Sequence, residues 1–130
     1  RLFVLKNRSL FIPTGTKEWN RIVENLKRDI DSTASNLQAQ NIKYLFVIHP
    51  LIEECKKEAY EVNWKPVLAN PNYQKLDMLH EFSNNGILKT PEKIYWEKDR
   101  HFNNTGYRLM GKTIADYLLE NEMVPCKDHY

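Results

Sequence analysis

The sequence predicts an α/β protein with a parallel sheet, and two observations carry that expectation. Tyr44-Leu45-Phe46-Val47-Ile48 is a continuous apolar run without the alternation of a half-buried strand. A strand covered on both faces, as in a parallel sheet, has that signature. Amphipathic segments of helical period precede and follow it, and such alternation in chain order marks layered α/β architectures.

In chain order, residues 1–16 read as an extended arm, with apolar clusters Leu2–Leu5 and Leu10–Ile12 around a polar centre. Pro13-Thr14-Gly15 is a turn signal, and Thr16 is the expected N-cap of a helix whose first turn holds Trp19. From Lys17 to about Gln40, Trp19, Ile22, Val23, Leu26, Ile30, Ala34 and Leu37 recur at helical spacing, a single apolar stripe. After the Tyr44–Ile48 strand, Pro50 ends the run and Leu51–Glu61 has an amphipathic helical pattern. Asn63–Asn72 holds Pro66 and Pro71 and reads as a loop. Tyr73–Ser83 is expected to be helical through Leu76, Leu79 and Phe82, and Asn84-Asn85-Gly86 is its C-cap signal. Ile87-Leu88 reads as a short strand. The last helix spans about Asn104–Asn121, with Tyr107, Met110, Ile114, Tyr117 and Leu118 as its buried stripe. Residues 17–121 thus form the α/β body, and residues 122–130 a tail.

At 130 residues the chain makes at most one domain, and 42% apolar with 28% charged residues fits a soluble globular chain. The net charge of +2 is spread out with no basic stripe, which argues against a nucleic-acid or anionic-membrane partner. No apolar run is long enough to span a membrane. The chain starts at Arg1 rather than Met, so the expectation is a processed or trimmed product, which leaves room for an upstream targeting segment or anchor. Cys55 and Cys126 have no metal-ligand spacing; they are either one disulfide, which an oxidising compartment permits, or two unrelated thiols. A secreted or cell-envelope location is the expectation. Asn7-Arg8-Ser9 and Asn103-Asn104-Thr105 match the glycosylation triplet, a pattern too short to decide anything.

The stretch Trp96–Gly111, WEKDRHFNNTGYRLMG, carries the chemistry. Histidine titrates nearest neutrality, and a carboxylate on its Nδ1–H fixes the tautomer in which Nε2 acts as a base. Two positions apart on an extended or turning segment, Asp99 and His101 can point to the same side. Asn103 or Asn104 can cap the following helix, and Gly106 lets its first turn pack closely. The bland alternative is a polar turn that caps a helix, in a non-catalytic α/β binding domain.

The order D-R-H-F-N-N-T-G-Y before a final amphipathic helix resembles the last conserved block of the SGNH (GDSL-type) esterase and acyl-hydrolase family. In that block an Asp and a His precede an Asn and a Gly at the start of the C-terminal helix, matched by Asp99, His101, Asn103 and Gly106. The resemblance covers roughly Lys17 to Asn121. It implies a three-layer α/β/α flavodoxin-like fold and hydrolysis or transfer of ester or O-acyl groups on a small-molecule, glycan or lipid substrate. His101 would be the general base and Asp99 its orienting acid, without metal or cofactor. Many family members place two residues between the Asp and the His, where this chain has one. The family's nucleophile is the Ser of a Gly-Asp-Ser motif, and none of Ser9, Ser32, Ser35 or Ser83 has that setting. Residues 1–130 therefore read as the C-terminal portion of such a domain, its first half removed or supplied as a separate chain. Two or three short strands are also a thin sheet for so many helices. In the alginate-acetylating relatives the blocks run in the other order, which would put the missing part downstream; the ending just after the helix favours the first order.

His49, after the apolar strand, is a candidate for the substrate pocket or a hydrogen-bonded structural histidine. His80 and His129 show no ligand spacing with His101, so no metal is expected. Asp99-Arg100-His101 is also similar to the Asp-Arg-Gly-His of metal-dependent nonspecific nucleases, but the Gly is absent. Trp19, Tyr95, Trp96 and Tyr107 read as core packing.

Overall fold

The computed structural model describes residues 15–124, so most of the expected arm and tail, with Ser9, Cys126 and His129, lies outside the described residues. Helix α1 runs Lys17–Ala39, and Thr16 caps it as expected, its Oγ1 accepting from the Trp19 N–H at 3.2 Å. Strand β1 is Leu45–Ile48, followed by helices α2 (Ile52–Lys57) and α3 (Lys65–Ala69). Strand β2 is Gln74–Asp77, and α4 (Met78–Asn84) follows it without a break. Two 3-10 turns, Ile87–Lys89 and Pro91–Ile94, lead to the final helix α5, Asn104–Glu120. Among the described residues no helix is long and apolar enough to cross a membrane.

β1 and β2 pair in parallel, Leu45 opposite Gln74 through to Ile48 opposite Asp77. The class is α/β, and β1 is covered on both faces as its composition requires. Tyr44, Phe46 and Ile48 pack with Ile30 and Ala34 of α1 and Val67 and Leu68 of α3. Leu45 and Val47 pack on the other side against Leu79 and Phe82 of α4 and Met110 and Ile114 of α5. Side chains that alternate across a strand meet both layers only if both faces are dry.

Four local expectations are corrected. Tyr73–Ser83 is not one helix: its first part is strand β2. Leu76, Leu79 and Phe82 are all buried, so their spacing mimics a helical stripe, but Leu76 is buried by strand pairing. The boundary is Asp77, whose Oδ1 accepts from the N–H groups of Leu79 and His80 at 3.0 and 3.2 Å and caps α4. Ile87-Leu88 forms a 3-10 turn rather than a strand, following Gly86 at φ +70. That glycine ends α4 as the Asn-Asn-Gly signal predicts, its N–H reaching the Ser83 carbonyl at 3.0 Å. Leu51–Glu61 is helical only over α2, because Glu58 turns left-handed (φ 51) and the Ala59 N–H closes on the Glu54 carbonyl. The Asn63–Asn72 loop contains α3, with Pro66 in its first turn, where its missing N–H costs nothing.

Candidate active site

Tyr95 and Phe102 form an antiparallel bridge, and Trp96–His101 is the turn between them. The Trp96 N–H donates to the His101 carbonyl at 3.1 Å, and the Asp99 N–H to the Trp96 carbonyl at 3.3 Å. Within that turn Asp99 Oδ1 accepts from the His101 backbone N–H at 3.0 Å and also pairs with His101 Nδ1. These bonds hold the Asp99 carboxyl below its ordinary range, the His101 side-chain bond being the largest cause. Both side chains are open to solvent, 54% for Asp99 and 75% for His101. Among the described residues His101 Nε2 makes no hydrogen bond.

Asn103 explains why the turn is fixed. As the N-cap of α5 it accepts on Oδ1 from the N–H groups of Thr105 and Gly106 at 2.9 and 3.0 Å. Its Nδ2 donates to the carbonyls of Lys93 and Tyr95 at 2.9 and 3.1 Å. That amide is fully engaged, which leaves the Asn103-Asn104-Thr105 triplet a structural cap rather than a free acceptor. Gly106 is buried because a Cβ there would lie 2.2 Å from the Ile94 carbonyl oxygen and 2.9 Å from Phe102 Cβ. Asn103 and Gly106 thus both dock α5 against the Pro91–Ile94 turn.

The whole turn sits at the C-terminal end of β1, the edge at which open α/β sheets bind ligands. Three contacts place it there. The Tyr95 hydroxyl donates to the Pro50 carbonyl at 2.6 Å, and the Arg100 guanidinium lies 3.4 Å from Glu53 of α2. The His49 ring centroid is 5.6 Å from that of Phe102. Phe102 is the hub, buried among Tyr95, Phe82, Tyr107 and His49.

His49 is exposed and, among the described residues, has no hydrogen-bond partner, so the hydrogen-bonded structural reading is not what is observed. It lies beside the Asp99–His101 turn through Phe102. The expectation that the aromatics are core holds for Tyr95 but not for Trp96 and Tyr107, 52% and 51% exposed. Trp96 opens the turn, and Tyr107 on α5 packs edge-on against Phe102. Leu109 rather than Tyr107 belongs to the buried stripe of α5. The sequence reading missed Arg100–Glu53 and the Tyr95 hydroxyl; no short-range pattern announces contacts between segments some 45 residues apart.

Ser32 and Ser35 lie on α1 and Ser83 on α4, and none of them hydrogen-bonds to His101. His80 Nε2 meets the Asn84 amide at 3.0 Å. Among the described residues no group of three His, Cys, Asp or Glu side chains could hold a metal ion. No family model, no curated protein and no solved structure matches the chain.

Proposed function

We propose that Asp99 and His101 are the acid and base of an SGNH-type serine hydrolase site that cleaves or transfers ester or O-acyl groups. The reading extends to a three-layer flavodoxin-like domain of which residues 1–130 are the C-terminal portion. The observation that carries it is the orientation of the imidazole. Nδ1 is tied to Asp99, so the neutral tautomer donates from Nδ1–H and keeps its Nε2 lone pair outward.

In that arrangement His101 Nε2 takes the proton of a serine hydroxyl as its oxygen attacks the acyl carbonyl. The imidazolium formed is stabilised by Asp99 and returns its proton to the departing alkoxide, leaving the acyl group on the serine. A water, or an acceptor alcohol for transfer, then loses its proton to Nε2 as it attacks the acyl carbon, and the imidazolium returns that proton to the serine oxygen as the acyl–serine bond breaks. The serine and the donors that stabilise the tetrahedral oxyanion come from outside the described residues. The exposure of His101 accords with that, because a base efficient in this chemistry works against a facing nucleophile rather than against bulk water.

The test uses the natural gene product that carries this sequence. A fluorophosphonate probe should label a serine outside residues 15–124, and His101→Ala should lower both labelling and p-nitrophenyl acetate turnover by about 10³-fold or more. Asp99→Asn should lower turnover with an unchanged circular dichroism spectrum. Labelling of Ser32, Ser35 or Ser83, or turnover indifferent to His101→Ala, would overturn the proposal and leave the pair as a capped turn.

A further inference from the structure

A pocket of about 400 Å³ opens where Leu45 and Gln74 begin β1 and β2, at the opposite end of β1 from the Asp99–His101 turn. Two helix ends build its walls in the same way. After α1, Asn41 is left-handed (φ 55), and the N–H groups of Asn41 and Ile42 return to the Gln38 and Leu37 carbonyls, each at 3.0 Å. After α5, Glu122 is left-handed (φ 51), and the N–H groups of Glu122 and Met123 return to Leu119 and Leu118 at 3.2 and 2.9 Å. Both are Schellman closures, and each brings an apolar residue, Ile42 or Met123, to the pocket wall. The walls are bonded to one another as well. Lys43 Nζ donates to the Glu122 carbonyl at 2.8 Å, and the Tyr44 hydroxyl to the Asn72 carbonyl at 3.4 Å.

The lining departs from the composition of the chain. Charged residues are 28% of the sequence, yet among the described residues Lys43 is the one charged side chain on this wall. Gln38, Asn41, Asn72, Gln74 and Asn121 place five carboxamides there instead. Two of them are already oriented by Tyr117. Gln74 Oε1 accepts from its hydroxyl at 2.7 Å, which leaves Nε2 as a donor. Asn121 Nδ2 donates to its carbonyl at 2.9 Å, which leaves Oδ1 as an acceptor. Among the described residues the side-chain amides of Gln38, Asn41 and Asn72 have no hydrogen-bond partner.

We propose that this pocket binds a neutral saccharide of one or two pyranose units. A sugar hydroxyl both donates and accepts, as a carboxamide does, so a wall of amides with one fixed donor and one fixed acceptor matches a ring of hydroxyls. The half-buried Tyr44 ring, with Ile42 and Pro71, supplies apolar surface for the C–H face of the sugar. Other ligand classes fit the wall less well. A cation would meet Lys43 and no carboxylate, an anion only a lysine already bonded to a carbonyl, and an apolar ligand would strip water from amides without replacing its hydrogen bonds. The volume lies in the lower part of the range of about 300–1,000 Å³ in which small ligands are held. The site uses neither Asp99 nor His101 and does not depend on the hydrolase reading.

The test titrates the full chain, labelled with nitrogen-15, with glucose, N-acetylglucosamine, maltose and N,N′-diacetylchitobiose at millimolar concentration. At least one of these should shift the backbone amide signals of Ile42–Tyr44 and Tyr73–Gln74 in a saturable way. Gln74→Leu, which removes the fixed donor, should weaken that binding about 3- to 10-fold. Gln38→Ala should weaken it in the same range, and it breaks no side-chain bond of the fold. No saturable shift with any of the four sugars, or binding unchanged in both variants, would overturn the proposal. So would equal shifts with inorganic phosphate, which would make the pocket an anion site at Lys43. NOEs joining the Tyr44 ring to residues 125–130 would overturn it too, by filling the pocket with the chain's own end.

Discussion

Asn103 and Tyr95 are joined side chain to backbone: the Asn103 amide nitrogen donates to the Tyr95 carbonyl at 3.1 Å while the amide oxygen caps α5. One side chain therefore sets the start of the final helix and the exit from the Pro91–Ile94 turn, between which the Asp99–His101 turn is hung.

Asn103→Ala removes the cap and leaves the Lys93 and Tyr95 carbonyls without this donor. The cap contributes about 1 kcal/mol and each lost hydrogen bond about as much, so the expected loss is about 2–4 kcal/mol. Asn103→Ser should recover only the cap share, since a hydroxyl cannot reach the two carbonyls as well. Thermal unfolding orders the three proteins as wild type, Ser, Ala; equal midpoints for Ser and wild type would show that the carbonyl bonds add nothing.

Gly106 and Gly111 form a matched pair on α5. A methyl group at Gly106 would meet the Ile94 carbonyl oxygen at 2.2 Å, whereas at Gly111 nothing lies within 4 Å. Gly106→Ala must push α5 away from the turn and should destabilise by about 2–4 kcal/mol. Gly111→Ala should stabilise by about 0.5–1 kcal/mol through the better helix propensity of alanine. Denaturant midpoints of opposite sign are the expected result.

The contrast shows what the sequence could and could not reveal. The Asp99–His101 pair, the Asn103 cap and the close packing at Gly106 all lie within eight residues, and local chemistry dictates them. α1 and its Thr16 cap were legible for the same reason. Strand β2 was not, because Leu76, Leu79 and Phe82 fit a helical period while only long-range pairing to Leu45–Ile48 decides where the helix starts. The attachment of the turn to Pro50 and Glu53 was invisible too, since it joins segments that only the parallel crossover brings together. The exposed state of Trp96 and Tyr107 belongs to the same class: hydrophobic type says what can be buried, and the packing of neighbours says what is.

Acid should dissolve the Asp99–His101 link in a definite direction. The Asp99 carboxyl is depressed from its usual 3.8 in the folded chain, chiefly by the His101 side chain. A carboxylate held low favours folding at all pH values above its unfolded pKa, and that contribution fades as pH falls through the lower, folded one. The difference in thermal midpoint between wild type and Asp99→Asn should therefore shrink as pH falls below 3.8. A difference that grew on acidification would contradict the bonding of this turn.

Tyr95 links the turn to the buried Cys55. Its hydroxyl donates to the Pro50 carbonyl at 2.6 Å and lies 3.5 Å from Cys55 Sγ, which has no exposed surface. Burial pushes the Cys55 thiol up, the Glu54 carboxylate adds to the rise, and the Tyr95 bond works against it. Thiolate is the reactive form, so Ellman's reagent should react with Cys55 in the native chain only through opening of the structure. Tyr95→Phe leaves the Pro50 carbonyl without its donor in a buried setting, a cost of about 1–3 kcal/mol. Opening should become about 5- to 150-fold more frequent, and Cys55 labelling faster by the same factor, wherever labelling proceeds through global unfolding. Labelling at the wild-type rate in Tyr95→Phe, with an unchanged unfolding midpoint, would show that the Tyr95 hydroxyl does not hold the turn to the end of β1.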